Sequence, residues 1–251
     1  MEKPNLHPRP VESTYQRLVK PTVDRGLAMI LIVLTSPVVL LSMTLVKLTS
    51  RGSMIYAQER LGLNGRPFIL YKIRSMYQGS EQKIGPAWSL PGDPRITAVG
   101  HILRRTHVDE LPQLWNVLRG DLSLVGPRPE RATLGRIIER ELPLFSARLQ
   151  VKPGLTGLAQ VQQQPDESLQ TVRRKLNFDL YYMEQVGFKL DLKILLSTPL
   201  YILGVPPRFL AAVFRFPEFQ DVAPVRARDV TASSPGLLAA HELVSSMVAE
   251  S

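Results

Sequence analysis

The chain of 251 residues contains no cysteine. That excludes a disulfide framework and thiolate metal sites, and nothing points to an oxidising compartment. Only hard, oxygen-liganded metals fit well. No internal repeat is present. Acidic residues are the minority, 22 against 31 basic ones, and the formal net charge of +9 favours an anionic partner. Nucleic acid, an acidic membrane surface and a phosphorylated substrate all satisfy that condition. No nucleic-acid-binding motif is recognisable and an apolar segment argues against one, so we expect no nucleic acid partner. The length suits one domain with a tail.

Charge is also absent from Gly26 to Val46, a run of about 21 residues that as a helix would measure roughly 30 Å, enough for a bilayer core. Ser36 and Pro37 fall at its middle, where proline removes a backbone donor and crowds the carbonyl of Val33, so a helix break is expected there. Arg17, Lys20 and Arg25 precede the run and Lys47 and Arg51 follow it, so the positive-inside rule gives no strong asymmetry. Positive charge on both flanks with a central kink favours a re-entrant helix with both ends on one face. A kinked span and a buried core helix are the bland alternatives. No small-x-small site follows the run, which disfavours a cleaved signal peptide.

Residues 53–77 predict a hairpin turning at Asn64-Gly65. Residues 78–95 read as an irregular loop over a site, and Ile96 to Arg105 as a short helix. The stretch from Arg104 to Glu130, RRTHVDELPQLWNVLRGDLSLVGPRPE, places Asp109 and Glu110 among Arg104, Arg105, Arg119 and Arg128. Asp109 can serve as N-cap of a helix whose apolar face is Leu111, Leu114, Trp115 and Leu118, closed by Gly120. Carboxylates at such a helix start are held ionised, and an ionised carboxylate is a nucleophile or a hard-metal ligand. Arg131 to Gln150 reads as a solvated helical cover, 151–161 as a glycine-turn connector, Ser168 to Gln185 as a helix, and Leu190 to Gly204 as an apolar helix interrupted at Pro199. Phe188 to Phe216 suits the interface plane, with ordinary core helices as the alternative, and 217–251 reads as a tail.

Five ordered motifs then resemble the bacterial sugar transferases, the monotopic phosphoglycosyl transferases, over roughly residues 18–204. They are KPTVDRGLA leading to Ser36-Pro37, QERLGLNGRPFILYKIRSM, LRRTHVDELPQLWNVLRGDLSLVGPRPE, VKPGLTGLAQV and FDLYYMEQVGFKLDLKIL. The resemblance implies an α+β, mainly helical fold: an amino-terminal arm over 1–19, a re-entrant membrane helix over 20–50, a catalytic domain with a small β-hairpin over 51–204, and an interfacial segment and tail over 205–251. It implies transfer of a sugar-1-phosphate from a nucleotide diphosphate sugar, expected to be a UDP-sugar, to polyprenyl (undecaprenyl) phosphate at the cytoplasmic face of the bacterial inner membrane.

In such a reaction Asp109 is the nucleophile that forms a phosphosugar-aspartate, and Mg²⁺ is held by Asp109 and Glu110. Glu110 is either a metal ligand or a base. Lys72, Arg104 and Arg128, with Pro127 and Pro129 around the last, match substrate-binding positions. Membrane lipids are expected partners, and a homo-oligomer is allowed. The three glutamines Gln162, Gln163 and Gln164 stand where the family often has Asn-Gly-Arg.

Taken singly, the residues have plainer explanations. Asp109 alone would be a simple N-cap, Lys72 and Arg74 solvated strand residues, His107 structural, and Gly154 and Gly157 turn-formers. A non-catalytic, membrane-docked scaffold or anionic-lipid-binding protein is the alternative function.

Overall fold

The computed structural model describes residues 13–80, 92–142, 144–163 and 169–217. Most of the arm, much of the 78–95 loop, Gln164 and nearly all of the tail therefore lie outside the described residues.

One long helix comes first. After a π-helical turn, α1 runs from Lys20 to Thr49. Among the described residues it is the one helix long and apolar enough to cross a membrane. It is unbroken at Pro37. The helix assignment continues through the position of the expected break, where Ser36 donates its hydroxyl to the Val33 carbonyl, 2.9 Å away, the acceptor that Pro37 deprives of a helical donor. Both ends of α1 dock on the rest of the chain, through Asp24 and Ala28 at one end and Ser42 and Val46 at the other. Between them Met29, Ile30, Val33, Leu34, Leu40 and Leu41 stand exposed.

Strands β1 (Ile55–Leu61) and β2 (Pro67–Ile73) form the expected antiparallel hairpin, from Ile55 opposite Ile73 to Leu61 opposite Pro67. Asn64 and Gly65 both take positive φ in its turn. Helix α2 (Ala98–Arg105) is capped by Thr97, whose side chain accepts from the Gly100 N–H. A 3₁₀ turn, Val108–Glu110, leads to α3 (Gln113–Arg119), which Gly120 ends in the left-handed conformation.

Strand β3 (Ser123–Val125) pairs in parallel with β4 (Gly154–Thr156), a second small sheet that no periodicity announces. Between them, α4 (Ala132–Glu141) buries Leu134 and Ile138 against Phe145, Val172 and Leu176. The 131–150 segment is thus half core, correcting the solvated cover. The remaining helices are α5 (Leu158–Gln162), α6 (Leu169–Glu184), α7 (Phe188–Ile202) and α8 (Pro207–Phe214). Helix α7 passes through Pro199 without the expected interruption and ends three residues later at Ile202.

The main core gathers Ala28 of α1, Leu70 of β2, Leu114 and Val117 of α3, Leu124 and Val125 of β3, and Tyr182 and Ile194 of α6 and α7. The fold is mainly helical with a small antiparallel sheet, as expected.

Candidate active site

The acidic pair is reached through a bend. His107 adopts φ 55°, left-handed backbone that a non-glycine residue rarely takes, and turns the chain out of α2 into the Val108–Glu110 turn. Asp109 therefore is not an N-cap. Pro112 occupies that position for α3, without a side-chain cap, and the Asp109 carboxylate turns inward to 5% exposure.

Asn116, fully buried on α3, fixes this turn against β2. It donates from Nδ2 to the Ile69 carbonyl at 2.7 Å and accepts from the Tyr71 N–H at 3.2 Å. Lys72 on the same strand then reaches Glu110, with Nζ 2.7 Å from Oε1. Arg128 grips Glu110 from the other side, Nη2 to Oε1 at 2.5 Å and Nη1 to Oε2 at 3.1 Å.

The Arg128 backbone is set by close approach of three glycines. A Cβ on Gly154 would fall 2.1 Å from the Gly126 nitrogen, one on Gly126 2.4 Å from the Lys152 carbonyl, and one on Gly157 2.2 Å from the Gly126 carbonyl. Gly154 and Gly157 are thus close-packing residues rather than turn-formers. Pro127 and Pro129 are buried, and their carbonyls accept from the Gly154 N–H at 2.9 Å and from Arg60 at 3.1 Å. They hold Arg128 rather than offering surface. Arg148 donates to the Arg128 carbonyl at 2.5 Å, and Glu130 is bound by Lys175 at 2.5 Å.

The two neighbouring carboxyls are shifted in opposite directions. Burial works to raise the Glu110 carboxyl, but Arg128 and Lys72 outweigh it and hold the group well below the ordinary value. For Asp109 burial wins, aided by Glu110 and opposed by Lys72, Arg104 and His107, and the carboxyl is raised. No hydrogen-bond donor to Asp109 is found among the described residues. Arg104 stands on the Asp109 side and donates to Ser75 Oγ at 2.9 Å. Arg74 faces away, toward the carbonyls of Ser50 and Arg51, and so ties down the end of α1.

No cluster of three or more acidic or histidine side chains suited to a metal is found among the described residues. Mg²⁺, however, commonly takes one or two carboxylates and completes its shell from substrate phosphates and water. The unbonded Asp109 carboxylate beside Glu110 fits that donor set.

The family model for bacterial sugar transferases matches residues 15–204. The chain belongs to the bacterial sugar transferase family. Among the relatives of this transferase, a UDP-glucose:undecaprenyl-phosphate glucose-1-phosphate transferase of Caulobacter vibrioides is 42% identical over 185 residues, 72% of this chain and 68% of the relative. A UDP-N-acetylgalactosamine-undecaprenyl-phosphate N-acetylgalactosaminephosphotransferase of Aeromonas hydrophila is 39% identical over 198 residues, 77% of this chain. The match spans 47% of that relative, and 40% of an Escherichia coli UDP-glucose:undecaprenyl-phosphate glucose-1-phosphate transferase that is 37% identical.

One element of this bacterial sugar transferase escapes sequence inspection. Asp191, at the start of α7, accepts from Tyr15 at 2.6 Å, from Lys20 at 2.6 Å and from Tyr182 at 2.7 Å. It anchors the entry of α1 while Asp24 accepts from Ser123 at 2.6 Å. The available signal was a single acid at the edge of each apolar run.

Proposed function

We propose that this bacterial sugar transferase carries a sugar-1-phosphate from a UDP-sugar to undecaprenyl phosphate by way of a covalent phosphosugar on Asp109. The observation that carries this is the contrast within the pair: Glu110 is locked between Arg128 and Lys72, while Asp109 is buried, unbonded and adjacent. A group that must form a bond cannot be saturated with donors. The names of the relatives supply the UDP-sugar and undecaprenyl phosphate.

In the first step an Asp109 oxygen attacks the phosphorus bearing the sugar. The bond from that phosphorus to the nucleoside monophosphate oxygen breaks, and the monophosphate leaves with the electron pair. In the second step a phosphate oxygen of undecaprenyl phosphate attacks the same phosphorus. The bond to Asp109 then breaks and the free carboxylate returns. Both nucleophiles are anions, so neither step needs a base to remove a proton.

That favours a binding role for Glu110, whose depressed pKa makes it a poor base. Glu110 presents Arg128 and Lys72 as preset phosphate ligands, the first bidentate and the second a point charge. Arg104 adds a third cation. Mg²⁺ held by the open Asp109 carboxylate, joined by Glu110 only if that group releases one of its donors, would neutralise the diphosphate during the first displacement.

The docking of α1 supports a re-entrant, monotopic placement at the cytoplasmic face. A crossing helix would carry its two ends to opposite faces of the bilayer. Here Asp24 bonds Ser123, and Arg74 holds the carbonyls of Ser50 and Arg51, so both ends belong to one domain. Leu192, Leu196, Leu200 and Leu203 of the α7 segment and Phe209 and Val213 of α8 extend the exposed apolar surface, which suits interfacial lipid.

Purified protein given a panel of UDP-sugars, undecaprenyl phosphate and Mg²⁺ should release UMP, and chelation should stop it. Full turnover by Asp109→Ala would remove the nucleophile assignment. A cysteine in the amino-terminal arm labelled from the periplasmic side would remove the re-entrant one.

A further inference from the structure

A cavity of about 100 Å³ opens at the far end of α3 from the acidic pair, against the first turns of α1 and the Gln150–Lys152 segment. Three cations line it, Lys20, which Asp191 holds, and Arg25 and Lys152. A Cβ on Gly120 would lie 3.0 Å from Nη2 of Arg25 and 3.8 Å from Nζ of Lys152, so both heads rest against the bare face of that glycine. Neither has a hydrogen-bond acceptor or ion-pair partner among the described residues.

The neighbouring anions are engaged elsewhere. Asp191 pairs with Lys20 at 2.6 Å, Asp121 with Arg119 at 3.3 Å, and Asp24 accepts from Ser123. Two carbonyls in the last turn of α3 are also taken, Val117 by the Gly120 N–H and Asn116 by those of Asp121 and Leu122. Asp24, which also lies 4.0 Å from Lys20, and Asp121 act on Lys152 from a distance, and neither accepts a hydrogen bond from Lys152 or Arg25. Burial first, and then Arg25, push the Lys152 ammonium below its ordinary value. An anion seated between the two heads relieves that repulsion. A phosphate group suits it best, accepting two hydrogen bonds from the guanidinium fork and one from the ammonium.

The depth of the cavity matters as well. Arg25 is the last charged residue before the uncharged run from Gly26 to Val46. On the membrane docking proposed above, on which this inference rests, Arg25 lies where α1 enters the headgroup layer. We propose that Arg25 and Lys152 form a phosphate-binding subsite at the membrane surface, separate from the Asp109 centre, that takes the phosphate of an anionic lipid headgroup or of a soluble phosphate.

The test uses the full chain in phosphatidylcholine vesicles and follows acylation of Lys152, relative to the other lysines, by mass spectrometry. Vesicles containing phosphatidylglycerol form one arm and added inorganic phosphate the other. Protection of Lys152 by several-fold in the lipid arm alone assigns a headgroup ligand; protection by inorganic phosphate assigns a site for either source. Equal rates in all three conditions overturn the proposal. Arg25→Gln, with circular dichroism unchanged, should abolish the protection, and protection that survives it also overturns the proposal.

The outcome is separable from the proposed activity. Protected Lys152 without UMP release removes the transferase reaction and keeps the subsite. Should α1 not dock in lipid, the lipid arm is lost while the inorganic phosphate arm remains.

Discussion

Ser36 and Val33 form a side-chain-to-backbone bond of 2.9 Å that replaces the hydrogen bond Pro37 cannot make. A proline in the middle of an apolar helix would otherwise expose a bare carbonyl to lipid. Ser36→Ala should cost about 1 kcal/mol of insertion stability, while Ser36→Thr should keep most of it. The fraction of protein retained in membranes after alkaline extraction measures this; equal retention by wild type and Ser36→Ala would count against it.

Asp109 and stability pull in opposite directions. Its pKa is raised in the fold, so the ionised form is disfavoured there, and its contribution to stability, present below the unfolded value of about 3.9, is lost as pH rises. Asp109→Asn should therefore lose roughly a thousand-fold or more in turnover, yet unfold at the same or a higher temperature at neutral pH. A lowered Tm would contradict the burial argument.

The same shift sets a pH limb. The proposed attack requires the Asp109 carboxylate ionised, so kcat/KM for monophosphate release should fall toward acid pH with a midpoint above that of a free aspartate. Glu110 raises Asp109, so Glu110→Gln should move the residual limb to lower pH. A limb that stays put would show that another group titrates.

Glu110 itself should be a stability residue. Its depressed carboxyl contributes stability above the unfolded value, and that contribution is lost as pH falls through the folded one. Glu110→Gln leaves Lys72 and Arg128 facing each other. We expect a loss of about 2 kcal/mol in denaturant unfolding, less than the roughly 3–5 kcal/mol of a fully buried pair. The discount reflects Arg128, whose side chain keeps 35% exposure.

Gly154→Ala should be a harsh single-methyl change. The new Cβ would meet the Gly126 backbone at 2.1 Å, with no flexible side chain to yield. About 3 kcal/mol or more of destabilisation, together with weaker UDP-sugar binding as Arg128 moves, is expected from denaturation and titration. A variant as stable as wild type would refute the close-packing role.

Local signals were the legible ones. Asn64-Gly65 announces the hairpin, Gly120 the end of α3, and the one stretch from Arg104 to Glu130 contains Asp109, Glu110 and Arg128. What stayed hidden depends on long-range contact. Strands of three residues have no readable period, and β3 finds β4 only because Gly126, Gly154 and Gly157 let two backbones touch. The inward turn of Asp109 follows from the φ of His107, and Asn116 gives no sign in sequence that it will serve the edge of β2. Asp191 gathers donors from residues 15, 20 and 182, which no local pattern joins.

The two-ended attachment of α1 makes its length a gauge. Between Asp24 and Val46 the exposed apolar side chains are interchangeable in kind, but their number is not. One added residue would rotate the Val46 face by about 100° and displace it by about 1.5 Å relative to Asp24. An insertion or deletion in this segment should therefore cost more than an exchange of one exposed apolar side chain for another.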